Sequence, residues 1–226
     1  MIAIKELCKK FGADVVLQDI QFTIKKGNIS ILYGRNGAGK TTLIKCLIGL
    51  LKIDKGVVDF NFVDFNEIGV VLEDSMLINK LTVFEYLEFI CVLKKLNKKE
   101  YYNEIDELIK YMDLSSEKNK FIDKLSKGTK SKLKLISAII FNPKILLLDE
   151  PFLGMDIIAI ENTIDLLNRQ AEKGCITLIS THNLDIIKDV NADLLILKNN
   201  TISDRITNTQ IRANKNNLKK FLLDKI

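Results

Sequence analysis

Residues 34–41 have the types and the spacing of a phosphate-binding loop. They read Gly34-x-x-x-x-Gly39-Lys40-Thr41 and lie between the apolar segment ISILY and an amphipathic stretch, the strand–loop–helix context that this pattern requires. Glycines let backbone N–H groups surround β- and γ-phosphates, a lysine adds positive charge, and a threonine hydroxyl is an oxygen ligand for Mg²⁺. The pattern predicts a nucleoside triphosphate site. The alternative is a glycine-rich turn without a ligand.

Two carboxylates stand at the end of a second apolar segment, ILLLDEP, residues 145–151. A buried strand end that carries Asp149 and Glu150 is costly unless a cation or hydrogen-bond donors lie beside it. We expect Asp149 to hold Mg²⁺ through its water shell and Glu150 to polarise the water that attacks the γ-phosphate. A solvated turn after the strand is the alternative interpretation.

The one histidine of the chain, His182, follows the apolar segment CITLIS. Ligands of doubly wound sheets bind outside the carboxyl ends of the strands. We therefore expect His182 to project toward the same γ-phosphate as Glu150. A lone histidine is more often a surface residue without a role, and that alternative stays open here.

A second candidate anion site lies in LSKGTKSKL, residues 125–133. Ser126 and Gly128 come at the start of a helical pattern, and the first turn of a helix presents free N–H groups to an anion. One nucleotide does not need two such sites from the same chain. The stretch therefore raises the question of which phosphate it serves.

The apolar pattern that must position these residues changes twice along the chain. It is strand-like at first, becomes helical with a capping box at Thr82 and Glu85 and a second helix after Asn97, and ends with strands alternating with helices. The later apolar runs do not alternate, as is typical of strands buried on both faces of a parallel sheet. We divide the chain into a β-rich part with the phosphate loop (1–73), a helical insertion (74–140), the rest of an α/β core (141–204) and a basic tail (205–226).

Composition limits the classes of protein that the chain can belong to. Hydrophobic residues make up 47% and charged residues 28%, which is ordinary for a globular protein. The longest stretch without an acidic residue, lysine or arginine, GCITLISTHNL, is far shorter than a membrane span of roughly 18 residues. The N-terminus lacks the pattern of a secretory signal, so a cytoplasmic location is expected. The four cysteines are scattered without metal-site spacing.

The formal net charge of +5 is carried by the tail, residues 205–226. The body of the chain is therefore near neutral, and a nucleic-acid binder more often has a basic face on its folded body. We interpret the tail as a solvated, loosely ordered end, with contact to acidic lipid headgroups or a partner as the alternative.

The order of the motifs GRNGAGKTT, LSKGT, ILLLDEP, LGMD and STHN over residues 34–182 resembles the nucleotide-binding subunit of the ATP-binding cassette (ABC) family. The resemblance implies an α/β P-loop NTPase (RecA-like) fold: a mainly parallel sheet core, an N-terminal antiparallel β subdomain and an inserted α-helical subdomain. It also implies ATP and Mg²⁺ as cofactors. The motifs of that family fall on the following residues of this chain. The Walker A loop is Gly34, Arg35, Asn36, Gly37, Ala38, Gly39, Lys40, Thr41 and Thr42, the Walker B pair is Asp149 and Glu150, and the signature loop contains Ser126 and Gly128. By the same resemblance, Phe11 is the aromatic that stacks on adenine, Glu73 occupies the glutamine-loop position near Mg²⁺, Asp156 is the D-loop aspartate and His182 is the switch histidine.

The resemblance also answers the question raised by the second anion site. Two subunits of this family pack head to tail, so each ATP lies between the Walker A loop of one copy and the signature loop of the other. It implies two partners: a second copy or paralogue of the ATPase subunit, and an integral membrane permease subunit. It also implies that this chain is a peripheral protein at the cytoplasmic face of the cell membrane. The chain departs from the common family pattern at two positions: Lys127 lies within the signature, and Glu73 stands in place of glutamine. In both it resembles ATP-binding subunits of bacterial ABC-2-type exporters.

Two other functional classes are alternatives to an ATPase subunit that powers a membrane permease. A soluble ABC ATPase that acts on ribosomes or DNA usually joins two cassettes or inserts long coiled coils, and the chain has one cassette without such an insertion. No specific nucleic-acid partner is therefore expected. A small GTPase or kinase is disfavoured because no guanine-reading N-K-x-D tetrapeptide occurs.

Overall fold

The computed structural model describes residues 1–61 and 63–223. Its strands are β1 (Ile2–Phe11), β2 (Asp14–Ile24), β3 (Ile29–Tyr33), β4 (Lys55–Asp59), β5 (Ile68–Val71), β6 (Ile145–Asp149), β7 (Ile176–Thr181), β8 (Ala192–Lys198) and β9 (Thr201–Ile206). Its helices are α1 (Lys40–Leu47), α2 (Val83–Leu93), α3 (Lys98–Tyr111), α4 (Lys127–Ile139), α5 (Ile157–Glu172), α6 (Leu184–Ile187), α7 (Asn208–Ala213) and α8 (Leu218–Leu223).

Two sheets organise these elements. β1, β2 and β4 form an antiparallel sheet in the order β2-β1-β4, and the larger sheet has the order β5-β6-β7-β3-β8-β9. Its first five strands are parallel, and β9 runs antiparallel to β8. The parallel order brings the carboxyl ends of β3, β6 and β7 to one edge, which is where the predicted phosphate loop, acidic pair and histidine follow in sequence.

The apolar strands of the larger sheet are buried on both faces, as their unalternated patterns predicted. Every residue of β3, β6 and β7 is buried. Ile31 and Leu148 belong to one hydrophobic cluster, whereas Leu32 and Leu147 belong to the other. Helices cover one face, and α1 together with the antiparallel sheet covers the other. Because both faces are covered, the strand ends hold the site residues on a rigid base.

The helical insertion lies between β5 and β6. The predicted capping box is confirmed: Thr82 caps α2 by accepting from the Glu85 amide at 3.2 Å, and the Glu85 carboxylate accepts from the Thr82 amide at 2.8 Å. Asn97 caps α3. Within the described ranges, the helices include none that is both long and apolar enough to cross a bilayer.

The interpretation of the tail as a solvated, loosely ordered end is wrong for residues 205–223. Four of its apolar residues are at most 2% exposed and belong to the main core cluster: Ile206, Ile211, Leu218 and Leu222. These apolar residues pack against the body while the tail's charges stay at the surface; residues 224–226 are outside the described ranges.

Candidate functional site

The loop between β3 and α1 has a backbone that glycine makes possible. Gly37 and Gly39 have φ values of 82° and 102°, in the left-handed region that favours glycine. A Cβ on Gly34 would lie 2.8 Å from the Leu197 carbonyl oxygen, so this position also excludes larger residues. The loop enters α1 at Lys40, whose first-turn N–H groups have no intrahelical acceptors and are available to phosphate oxygens.

Lys40 is held inside this loop. Its Nζ donates to the carbonyl oxygens of Gly34 at 2.7 Å and Arg35 at 3.2 Å, and it lies 3.9 Å from Glu150 Oε1. The residue is 7% exposed, and burial lowers the pKa of its ammonium while the nearby Glu150 carboxylate raises it. The Lys40 ammonium is therefore well placed to move from these carbonyl oxygens to the oxygens of a bound phosphate. Charged phosphate oxygens accept hydrogen bonds from a cation more strongly than neutral carbonyl oxygens do.

Thr41 and Asp149 form an oxygen pair that fits Mg²⁺. Thr41 Oγ1 donates to Asp149 Oδ2 at 2.7 Å, and Ser180 Oγ donates to the other carboxylate oxygen. Asp149 is fully buried. The described part of the chain contains no cluster of three His, Cys, Asp or Glu residues, and Mg²⁺ in nucleotide sites commonly takes one or two protein oxygens plus water and phosphates. The donor set therefore matches Mg²⁺ carried in with a nucleotide.

Glu150 and His182 are brought together by the sheet edge. His182 Nδ1 lies 2.7 Å from Glu150 Oε1, and Thr181 Oγ1 donates to Glu150 Oε2 at 3.3 Å. The Glu150 backbone has φ 47°, a conformation that costs a non-glycine residue of order 1–3 kcal/mol and often occurs at functional sites. Its amide donates to the Ser180 carbonyl oxygen at 3.2 Å. The carboxylate is thus fixed at the mouth of the phosphate loop.

Lys40, Thr41, Glu150 and His182 line one cavity of about 620 Å³, and Asp149 lies behind Thr41, outside its lining. Its walls are Val16, Asn36, Gly37, Gly39, Lys40, Thr41, Thr42, Glu73, Lys127, Glu150, Leu153 and His182. Glu73 lies in the wall, and its place near Mg²⁺ stays a prediction. Phe11 does not line the cavity; it ends β1, is 47% exposed, and has Lys9 Nζ 5.0 Å from its ring centroid. Its role in stacking on adenine stays a prediction.

Sequence reasoning missed several residues of this site. Ser180 and Thr181 hold the two carboxylates, and Val16 supplies an apolar wall. No motif marked them, although Ser180 and Thr181 directly precede His182 and so share its strand end. The sequence marks Lys127 only as a departure within the signature, yet this residue lines the cavity of its own chain.

Within the signature stretch, Lys127 lines this cavity, whereas Ser126 and Gly128 do not. Ser126 is exposed and caps α4, accepting from the Thr129 amide at 3.1 Å. Gly128 packs against the loop before α5, where an added Cβ would lie 2.2 Å from the Gly154 carbonyl oxygen. Asp156 caps α5 by accepting from the Ala159 amide at 2.8 Å. Ser126 and Gly128 therefore lie outside the cavity that the 34–42 loop lines.

Comparison with known proteins gives the family. The sequence profile described as ABC transporter matches residues 17–153, more than half of the chain. The chain belongs to the ABC transporter family. An ABC transporter ATP-binding protein of Methanocaldococcus jannaschii is 35% identical over 197 residues, which cover 87% of this chain and 74% of the relative. Further relatives include ATP-binding proteins named for import.

Solved structures give the same family and the same fold. A structure described as the ATP-binding subunit of an ABC transporter superposes with a TM-score of 0.88 at 30% identity and covers 100% of this chain and 97% of its own. A dimeric ATP-binding cassette in a post-hydrolysis state, bound to ADP and Pi, shares the fold with a TM-score of 0.81 at 24% identity, covering 92% of this chain and 98% of its own. The predicted family and α/β fold class are confirmed, and this ABC subunit binds ATP and is an ATP hydrolase.

Proposed function

We propose that this ABC subunit dimerises around two ATP molecules and drives a separately encoded permease from the cytoplasmic face of the membrane. The observation that carries the proposal is the separation of Ser126 and Gly128 from the cavity of their own chain. The N-terminus of α4 has free N–H donors at the surface, and these can bind phosphate only if a nucleotide held by another chain reaches them. A second copy or paralogue supplies that nucleotide.

The residues of one chain divide the work of binding the triphosphate. The 34–42 loop surrounds the phosphates, and Lys40 leaves the carbonyls of its loop to contact the β- and γ-phosphates. Mg²⁺ would be held by Thr41 directly and by Asp149 and Glu73 near its shell, where it would neutralise charge on the phosphate oxygens. Burial of Asp149 and its two hydroxyl donors favour one fixed orientation of that carboxylate.

Hydrolysis follows from the placement of Glu150. Its carboxylate orients a water and accepts a proton as the water oxygen bonds to the γ-phosphorus and the bond to the bridging oxygen of ADP breaks. His182, in contact with Glu150 Oε1, keeps the carboxylate aimed and can itself donate to the γ-phosphate. Ser126 and Gly128 of the second subunit contact the γ-phosphate from the side opposite the 34–42 loop.

Loss of the γ-phosphate is what converts hydrolysis into motion. A ligand can shift a conformational equilibrium only through a difference in affinity for the two states. With ATP bound, the phosphate ties two chains together; with ADP, the companion's signature loop has lost its contact. We infer that this opening and closing is passed to the permease through the helical insertion.

Export is the finer part of the proposal. It is supported by Lys127 and Glu73, which resemble exporter subunits in the signature and glutamine loops. Relatives named for import exist as well, so membership of the family alone does not give the direction. Uptake and efflux assays on inverted vesicles that contain the chain and its permease would separate the two.

The central test is the variant Glu150→Gln with ATP and Mg²⁺. We expect hydrolysis to fall by roughly 10²–10⁴-fold, because the general base is lost while the phosphate loop is intact. The trapped ATP should make the variant elute as a dimer in size-exclusion chromatography. Glu172→Gln, an exposed site at the end of α5, is the matched control and should behave as wild type.

Three results would count against parts of the proposal. A variant that binds ATP and stays monomeric at high concentration contradicts the shared site. Turnover within a factor of two of wild type removes Glu150 from its role. Purification from native membranes should recover a polytopic protein, and recovery with ribosomes or nucleic acid alone would favour the soluble class instead.

A further inference from the structure

The segment that carries Glu73 is held from two sides by lysines. We call residues 72–75 the Glu73 loop; it directly follows β5. Lys45, in the last turn of α1, pairs with Asp74 Oδ2 at 2.8 Å. Lys134, on α4, donates to the carbonyl oxygens of Glu73 at 2.9 Å and Leu72 at 3.3 Å. The loop therefore bridges α1, the helix of the phosphate site, and α4, the helix that Ser126 caps.

The contact with Lys134 is made where water is partly excluded. Lys134, Glu73 and Glu150 line a small cavity of about 190 Å³ between the Glu73 loop and α4. Burial lowers the pKa of the Lys134 ammonium, and the nearby carboxylates of Asp74 and Glu73 oppose that effect. The hydrogen bond to the Leu72 carbonyl is partly buried, and the shorter one to the Glu73 carbonyl is exposed. Both are charge-assisted, and removal of the ammonium leaves both carbonyls without this donor.

The position of Lys134 on α4 gives this contact a mechanical consequence. Ser126 caps the same helix, and the two residues are about two turns apart, roughly 12 Å along the axis. A helix transmits displacement over that length as a rigid body. Movement of the Glu73 loop toward or away from the nucleotide cavity, whose wall includes Glu73, is thus coupled to the position of the signature residues.

We propose that Lys134 is a positioning residue of the ATP site, which anchors the Glu73 loop to the signature helix and so sets how Glu73 meets the Mg²⁺ shell. The inference rests on the proposed function of Glu73. It acts through Glu73 and does not require Lys134 to touch the nucleotide. A lysine that only fills space beside the loop would neither anchor the loop nor change how Glu73 meets the Mg²⁺ shell.

The first experiment measures the loop without any nucleotide. Hydrogen exchange of a peptide covering residues 72–75 should be at least about tenfold faster in Lys134→Met than in wild type, because the anchor is gone while the apolar stem remains. Lys134→Arg, which can donate to both carbonyls, should restore slow exchange. Lys132→Met, about 200° away around α4, is the matched control and should leave exchange unchanged.

The second experiment measures the Mg²⁺ concentration that gives half-maximal ATP hydrolysis at saturating ATP. We expect it to rise about fivefold in Lys134→Met, with ATP binding in EDTA unchanged and Lys134→Arg within twofold of wild type. In a Glu73→Ala background, Lys134→Met should add less than about twofold, because its effect passes through Glu73.

The outcomes separate the inference from the function on which it rests. Wild-type exchange rates and wild-type Mg²⁺ dependence in Lys134→Met overturn the anchoring role, and an undiminished fivefold effect in the Glu73→Ala background overturns the route through Glu73. A wild-type chain that shows no Mg²⁺-dependent hydrolysis contradicts the proposed function itself. In that event the exchange data still decide whether Lys134 anchors the loop.

Discussion

The two hydroxyls that donate to Asp149 allow a test of the metal site in which each variant controls for the other. Thr41→Val and Ser180→Ala each remove one hydroxyl donor from a fully buried carboxylate. Thr41 is proposed to bind Mg²⁺ directly, whereas Ser180 lies on the neighbouring strand β7 and holds the opposite oxygen. The variants should therefore agree in one property and differ in another.

The property in common is stability without nucleotide. A hydrogen bond to a charged group contributes about 1.5–3 kcal/mol, and 1 kcal/mol shifts the melting temperature of a domain of this size by about 2–4 °C. Each variant should melt about 3–12 °C below wild type in the absence of ATP and Mg²⁺. Scanning calorimetry in EDTA measures this shift.

The property that should differ is the Mg²⁺ dependence of hydrolysis. Thr41→Val loses a ligand and the orientation of Asp149 together, so half-maximal activity should require at least about tenfold more Mg²⁺, a size typical of disturbed metal ligation. Ser180→Ala should require less than about threefold more. Equal Mg²⁺ effects in the two variants, or no loss of stability in either, would refute the assignment of the two hydroxyls.

Three further substitutions test contacts elsewhere in the chain. His182→Ala removes the contact with Glu150 and should slow hydrolysis by about 10²-fold or more, as measured by phosphate release, with ATP binding retained. Gly128→Ala should lower the free energy of unfolding by about 1–3 kcal/mol even without nucleotide, because its Cβ would collide with the Gly154 carbonyl oxygen. Leu222→Ala should lower it by about 2–5 kcal/mol in urea titrations, because Leu222 is fully buried.

Each of these has a specific contradictory result. Normal turnover in His182→Ala would make its contact with Glu150 structural only. A Gly128→Ala variant as stable as wild type would show that the close approach to Gly154 relaxes freely. Lys219 is an exposed residue near Leu222 on α8, so Lys219→Ala should change the free energy of unfolding little. Equal decreases in Lys219→Ala and Leu222→Ala would contradict the packing of α8.

Much of the fold could be predicted because its signals are local. The glycines of the 34–41 loop are needed where they stand, since a left-handed backbone or a close approach is a property of a few consecutive residues. The buried strands β3, β6 and β7 were visible as unalternated apolar runs, and the capping box at Thr82 is defined within four residues. The tail was misjudged because its Asn and Lys content concealed Leu218 and Leu222, which are spaced for one helix face.

The sequence by itself determined the phosphate loop and the acidic strand end, since each depends on residues close together in the chain. The order of such local motifs along residues 34–182 indicated the family. Only the tertiary structure decided which distant groups meet: His182 with Glu150, Ser180 with Asp149, Gly128 with Gly154, and Lys134 with the Glu73 loop. These contacts depend on strand order and helix placement, which are set by burial of apolar surface over the whole chain. A local sequence pattern indicates the chemistry that a residue can perform. The packing of the sheet and helices decides which groups that residue contacts.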